Sequence, residues 1–177
     1  MQRALEDAGI DSSVVELPQT TRSAAEAALA IGCTVEQIAK SVVFRRVDTG
    51  LPVLVVLRGV DRVDTDLLAT HLGTRVERAT PEFVREVTGF AIGGVPPLGH
   101  VSPIQTLVDE ALMRYAIVWA AAGTPNAVFP ASPVQLAVAA TVLPVAAHAD
   151  DHDRTDGRLA TERPGRCEST DRGGRSA

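Results

Sequence analysis

KSVVFRRVDTGLPVLVVLRG, residues 40–59, sets two apolar, valine-rich runs on either side of the turn DTGL. Runs of this composition at this spacing read as adjacent antiparallel strands. The hairpin excludes an all-helical fold, and the segments around it extend the reading in both directions.

Upstream, residues 2–8 read as a short helix and VVEL, residues 14–17, as a strand. Ser23 with Glu26 has the spacing of a capping box and opens a helix through Ile31; Thr34 with Gln37 repeats the device and predicts a one- to two-turn helix ending near Lys40. Downstream, Asp64 or Thr65 caps a helix through His71, RVER is a short strand, and Thr80-Pro81-Glu82 starts a helix to Val87. Past a glycine-rich segment, PIQTLVDEALMRY, AIVWAAAG and AVFPAS read as strands and turns, and SPVQLAVAA restarts a helix at Ser132. Strands interleaved with short helices, one pair forming a hairpin, predict an α/β domain whose mixed, mostly antiparallel, barrel-like sheet has helices packed outside it. Apolar strands lie on both sides of the glycine-rich segment, so residues 1–147 form one domain. From His148 the composition turns to mixed charge and glycine, and residues 148–177 read as a disordered tail. A metal set of His148, Asp150, Asp151, His152 and Asp153 is the weaker reading of that tail, because ordering a flexible segment costs entropy.

The chain has 177 residues and a net charge of -5, so it offers no general attraction for DNA or another polyanion. Aromatic residues make up only 3%, which leaves the core to Val, Leu, Ala and Ile. Cys33 and Cys167 lie far apart in different contexts, which suggests neither a disulfide framework nor a metal pair and favours a reducing, cytoplasmic setting. No apolar run approaches the roughly 18 residues of a membrane span, and the opening MQRALEDAGI is amphipathic rather than signal-like.

Among groups able to do chemistry, Lys40 stands out as the only lysine. A chain that uses arginine for its other cations and keeps one ammonium beside an apolar strand has a use for a compact point charge, although a lysine there also complements a helix C-terminus. GFAIGGVPPLGH, residues 89–100, supplies glycines for close backbone approach and prolines that hold a loop in shape. Its amides can face the oxyanion of a hydrolysed ester, or the loop is simply a rigid turn. Gly123, Thr124 and Asn126 lie in a second small-residue segment that can line a cavity. His100 is a candidate base, more simply a structural histidine. Cys33 has no evident partner as a nucleophile. Asp109 and Glu110, neighbours on a strand, point to opposite faces and read as surface charges; Arg45 and Arg46 likewise diverge, leaving one to meet a phosphate. No Gly-x-Ser-x-Gly elbow marks a general esterase.

With IAKSVVF at 38–44, GFAIGGVPPLGH at 89–100 and WAAAGTPNAVFPASPVQL at 119–136 in this order, the chain resembles the YbaK/ProX family of aminoacyl-tRNA deacylases, relatives of the editing domain of some prolyl-tRNA synthetases. The resemblance covers roughly residues 1–143. It implies a single barrel-like α/β domain that needs no metal or cofactor. The implied activity is hydrolysis of the ester on tRNA carrying a small wrong amino acid, of the Cys-tRNA(Pro) or Ala-tRNA(Pro) type. It maps the essential lysine to Lys40 and the Gly-x-x-x-Pro loop to Gly93–Pro97, giving Lys40, Gly93 and Gly94 catalytic roles. Val95, Pro96, Pro97, Gly99, Gly123, Thr124 and Asn126 then belong to the substrate site. The implied partners are the acceptor end of mischarged tRNA and prolyl-tRNA synthetase. The competing reading is a non-catalytic module binding aminoacyl-adenosine or another small ligand.

Overall fold

The computed structural model describes residues 1–21 and 23–148. The expected hairpin is its centre: β2 (Ile38–Arg46) and β3 (Pro52–Arg58) pair antiparallel from Ala39↔Arg58 to Arg45↔Pro52, with Lys40 opposite Leu57. Val53 to Leu57 are all fully buried because β3 has apolar clusters on both faces. At roughly 1.5–3 kcal/mol per buried Val or Leu side chain, this strand is a main source of stability.

Around the hairpin, β1 (Val15–Glu16), β7 (Val118–Ala121) and β8 (Ala127–Ala131) lie to one side, and β6 (Gln105–Asp109) and β9 (Thr141–Leu143) to the other. The order is β1-β8-β7-β2-β3-β6-β9, and β5 (Val76–Arg78) also pairs with β2. The pairs β1/β8, β7/β8, β2/β3 and β2/β5 are antiparallel, while β2/β7, β3/β6 and β6/β9 are parallel, so the expected mixed, mostly antiparallel sheet is present. It does not close into a barrel. Its outer strands, β1 and β9, span only two and three residues and do not pair with each other; a closed barrel needs a continuous ladder around its circumference. A separate ladder joins β4 (Arg62–Val63) to β10 (Ala146–Ala147). These three short strands, β4, β9 and β10, have no counterpart in the sequence reading.

The helices are α1 (Gln2–Asp7), α2 (Ala24–Ile31), α3 (Thr65–Leu72), α4 (Pro81–Thr88) and α5 (Pro133–Leu136). Their N-caps follow the sequence: Ser23 Oγ accepts from the Glu26 amide, Asp64 caps α3, Thr80 caps α4, and Ser132 with Gln135 forms a capping box. Two expectations shorten. The helix after Thr34 is a single 3-10 turn, Val35–Gln37, and the strand starts at Ile38. Lys40 is therefore a strand residue, not the end of a helix, because β-branched pairing with β3 outcompetes helical continuation. SPVQLAVAA forms only the four-residue α5.

Asp109 corrects the reading of Asp109-Glu110 as surface charges: it is fully buried. It ends β6, caps the following 3-10 turn through the Ala111 amide, and accepts from the Val145 and Ala146 amides at 2.9 and 3.0 Å. Glu110 has left the strand, so strand alternation does not govern the pair. His148, read as the first residue of a tail, is mostly buried with Nδ1 3.3 Å from Asp61 Oδ2. Asp150, Asp151, His152 and Asp153 lie outside the described residues, as does Cys167.

Candidate active site

β2 pairs with β3 along one edge, but its other edge changes partner. It follows β7 at Ile38 and Ala39, and β5 only from Phe44. The Val43 carbonyl accepts from the Ala79 amide at 3.3 Å, so the odd-numbered residues of β2 turn their main-chain groups toward that edge. Ser41 lies in the gap between the two partners, where an N–H and a C=O of the strand open into the split. Its hydroxyl oxygen is buried with no hydrogen-bond partner among the described residues, a state that costs about 1–3 kcal/mol.

The split opens into a cavity of about 640 Å³, within the usual range for small-molecule sites. Small residues form one wall: Ala24 and Ala27 from α2, and Ala120 and Ala121 from β7. Ile38, Trp119 and Val84 add bulk, and Lys40, Ser41, Arg78, Gly93, Val95 and Thr124 add polar or main-chain groups.

The ammonium of Lys40 donates to the Asp61 carbonyl at 2.6 Å and to the Gly59 carbonyl at 3.4 Å. An ammonium carries three N–H groups, so one has no acceptor among the described residues and can meet a ligand in the cavity that Lys40 lines. Burial lowers its pKa from the ordinary lysine value; the Asp61 charge opposes this, and Arg62 and Arg78 add to it. Gly59 is required here, since a Cβ would lie 2.5 Å from the Val35 carbonyl oxygen.

The Gly93–Pro97 loop reaches the cavity through Gly93 and Val95. Gly93 sits at φ 91, in the left-handed region open to glycine. Gly94 touches the second small-residue loop: the Gly123 amide donates to the Gly94 carbonyl at 3.0 Å, and a Cβ on Gly94 would lie 3.0 Å from the Gly123 carbonyl. The amide of Gly94 is occupied by Ala91 O at 3.0 Å, so it points away from any ligand, whereas those of Gly93 and Val95 donate to no described residue.

Of the residues singled out from sequence, Lys40, Gly93, Val95 and Thr124 line the cavity, and Gly94, Pro96, Pro97, Gly99, Gly123 and Asn126 do not. The second group supports the first. Pro96 and Pro97 are buried, and His100 Nε2 lies 2.9 Å from the Pro96 carbonyl. Gly99 abuts Ala4 of α1, Gly123 abuts Phe90, and Asn126 accepts from the Thr124 hydroxyl at 3.0 Å. Burial lowers the His100 pKa despite its backbone bond, and the ring acts as a brace for the loop. Cys33 does not line the cavity, and burial raises its pKa, which disfavours a thiolate nucleophile. Arg45 and Arg46 are spent on Glu77 and Asp48. Arg78, which sequence reasoning passed over, lines the cavity; its position opposite Phe44 follows from strand register, which no local motif announces.

Behind the Lys40 turn lies a second polar group. Arg58 donates to both oxygens of Asp61, at 2.6 and 3.0 Å, and His148 approaches Asp61 and Asp109 at 3.3 and 3.8 Å. Asp61, Asp109 and His148 are close enough together to hold a cation. Each carboxylate oxygen already has a guanidinium or amide donor, so the donor set is that of an ion-pair network rather than a metal centre.

The sequence profile of the aminoacyl-tRNA editing domain matches residues 18–138, a span that contains every described residue lining the cavity. The chain belongs to the aminoacyl-tRNA editing domain family. A crystal structure of a candidate trans-editing enzyme for prolyl tRNA synthetase matches this editing domain at 46% identity and TM-score 0.78, covering 83% of this chain and 94% of that one. The hypothetical protein APE2540 matches at 28% identity and TM-score 0.76, over 81% and 96%. Uncharacterized protein YwhH of Bacillus subtilis (strain 168) is 29% identical over 126 residues, 71% of this chain and 80% of its own. Among the described residues no helix of the editing domain is long and apolar enough to cross a membrane.

Proposed function

We propose that the domain is a trans-acting deacylase, cleaving the ester between a small, wrongly attached amino acid and the terminal adenosine of tRNA. Cys-tRNA(Pro) and Ala-tRNA(Pro) are the substrate type, and the reaction takes place in the cytoplasm alongside prolyl-tRNA synthetase. The observation that carries this reading is the meeting of the sole lysine and the Gly93 loop on one cavity, beside an open strand edge. Water adds to the ester carbonyl carbon, the bond to the ribose oxygen breaks, and that oxygen leaves with a proton. Lys40 and the Gly93 and Val95 amides face the oxygen that gains charge, where preorganised donors stabilise the transition state. No protein nucleophile takes part; water or a neighbouring group of the substrate attacks a held ester.

The alanine wall suits a sieve that admits small side chains, which complements a synthetase unable to reject them strongly. Arg78 on the cavity and Arg62 near Lys40 supply local positive charge for the acceptor-end phosphates in a chain that is acidic overall. The test is a panel of mischarged tRNAs. The expected result is release of Cys or Ala by the wild type and its loss in Lys40→Ala. No release from any member, or undiminished release by Lys40→Ala, overturns the reading. Tight binding of a non-hydrolysable aminoacyl-adenosine without turnover assigns a binding module instead.

A further inference from the structure

We infer that residues 144–148, a C-terminal strap beyond the matched domain, position Lys40 through the turn that supplies its carbonyl acceptors, with His148 as the positioning residue. The inference rests on the reading of Lys40 as the group that acts on substrate.

The turn Gly59–Asp61 holds both oxygens that fix the Lys40 ammonium. On one side it is packed against the Val35 carbonyl and Ala24, with room only for glycine at position 59. On the other side its position depends on the strap. Ala146 and Ala147 pair with Val63 and Arg62, and the Asp64 amide donates to the Val145 carbonyl at 3.0 Å. His71 Nε2 meets the Pro144 carbonyl at 3.0 Å. Buried Asp109 accepts from the amides of Val145 and Ala146, which ties the strap to the end of β6. His148 closes the arrangement at Asp61. A carboxylate held by Arg58 can only accept, so Nδ1 donates. The residue that presents its main-chain oxygen to Lys40 at 2.6 Å therefore has its side chain clamped by the last described residue of the chain.

Two of the three N–H vectors of Lys40 are set by this turn, so its displacement re-aims the third. A shift of about 1 Å at a reacting centre can cost about a hundredfold in rate. The family match ends at residue 138, so the strap lies beyond the matched span.

The single lysine makes the test direct. The full chain labelled with ¹³C,¹⁵N-lysine gives one side-chain signal, which reports the Lys40 environment without any turnover. In His148→Ala the signal is expected to shift. Its titration midpoint should rise toward the ordinary lysine value as water reaches the ammonium, with Asp61, Arg62 and Arg78 as the charges acting on it. The deacylation kcat is expected to fall about tenfold with KM nearly constant. His148→Asn, whose amide N–H replaces that of Nδ1, should restore both. Should His148→Ala fail to fold, His71→Ala loosens the other end of the strap, and a smaller signal shift in the same direction is expected. A lysine signal and titration unchanged by these variants, whatever happens to Tm, overturns the inference. Absence of turnover in the wild type overturns the deacylase reading alone, because the lysine signal still decides the role of the strap.

Discussion

The cavity beside β2 and the Arg58–Asp61–Asp109–His148 cluster bury polar groups against the same sheet, on either side of one turn. In the cluster every carboxylate oxygen has a donor. In the cavity the Ser41 hydroxyl has none among the described residues, the edge of β2 is open at Ser41 between its two partner strands, and the Lys40 ammonium keeps one N–H free of the carbonyls that hold it. Satisfied networks in a low-dielectric interior make structure rigid, and unsatisfied ones wait for a ligand. The difference teaches which polar residues to perturb for stability and which for activity.

The largest effect is expected in the satisfied cluster. Asp61→Ala removes the carboxylate that accepts from the buried Arg58 guanidinium and from His148, and should cost about 3–5 kcal/mol, read by urea denaturation. A loss under about 1 kcal/mol would break the contrast. Lys40→Ala is the mirror case. It should lower the deacylation rate about 10²–10³-fold, the scale for losing one oxyanion donor, while Tm changes little. An equal fall in both would show that Lys40 belongs with the structural cluster.

Gly94→Ala probes the contact between the two loops. The neighbours of the new Cβ are main-chain atoms of Gly123 and Thr124 at 3.0–3.1 Å, so one loop has to move. A cost of about 1–3 kcal/mol is expected, with a higher KM as the cavity wall shifts. Ser41→Ala should be near neutral or slightly stabilising in thermal melts, because the hydroxyl it removes has no partner among the described residues, yet it should weaken binding of an aminoacyl-adenosine analogue. A clear loss of stability would place Ser41 among the satisfied groups. The smallest effect concerns His100. Its folded pKa lies below the unfolded value, so between the two the unfolded chain binds more protons and stability rises with pH. Acidification from neutral through about 6.5 should therefore loosen the 89–100 loop, and the slope should vanish in His100→Gln.

Local signals in the sequence carried much of the fold. The 40–59 hairpin, the capped starts of α2, α3 and α4, and the short strand at β5 are legible because β-branched runs, N-cap residues and proline at the first helical turn act within a few residues. The unusual status of Lys40, and the glycines of the 89–100 loop, were legible for the same reason. The strands β4, β9 and β10 were not, because two- and three-residue strands have no periodicity to read and exist only where a partner is presented. Asp109 misled because its burial depends on the amides of Val145 and Ala146, some 36 residues away.

By itself the sequence determined the elements, their caps, and the one ammonium and two small-residue loops available for chemistry. Tertiary structure alone decided which of these share a cavity: the split of β2 between β7 and β5, the arrival of Arg78 by register, and the clamping of the Lys40 turn by His148. The physical reason is range. Propensity and capping act over a few bonds, whereas cavities and buried charge networks form between residues whose separation along the chain carries no local signal.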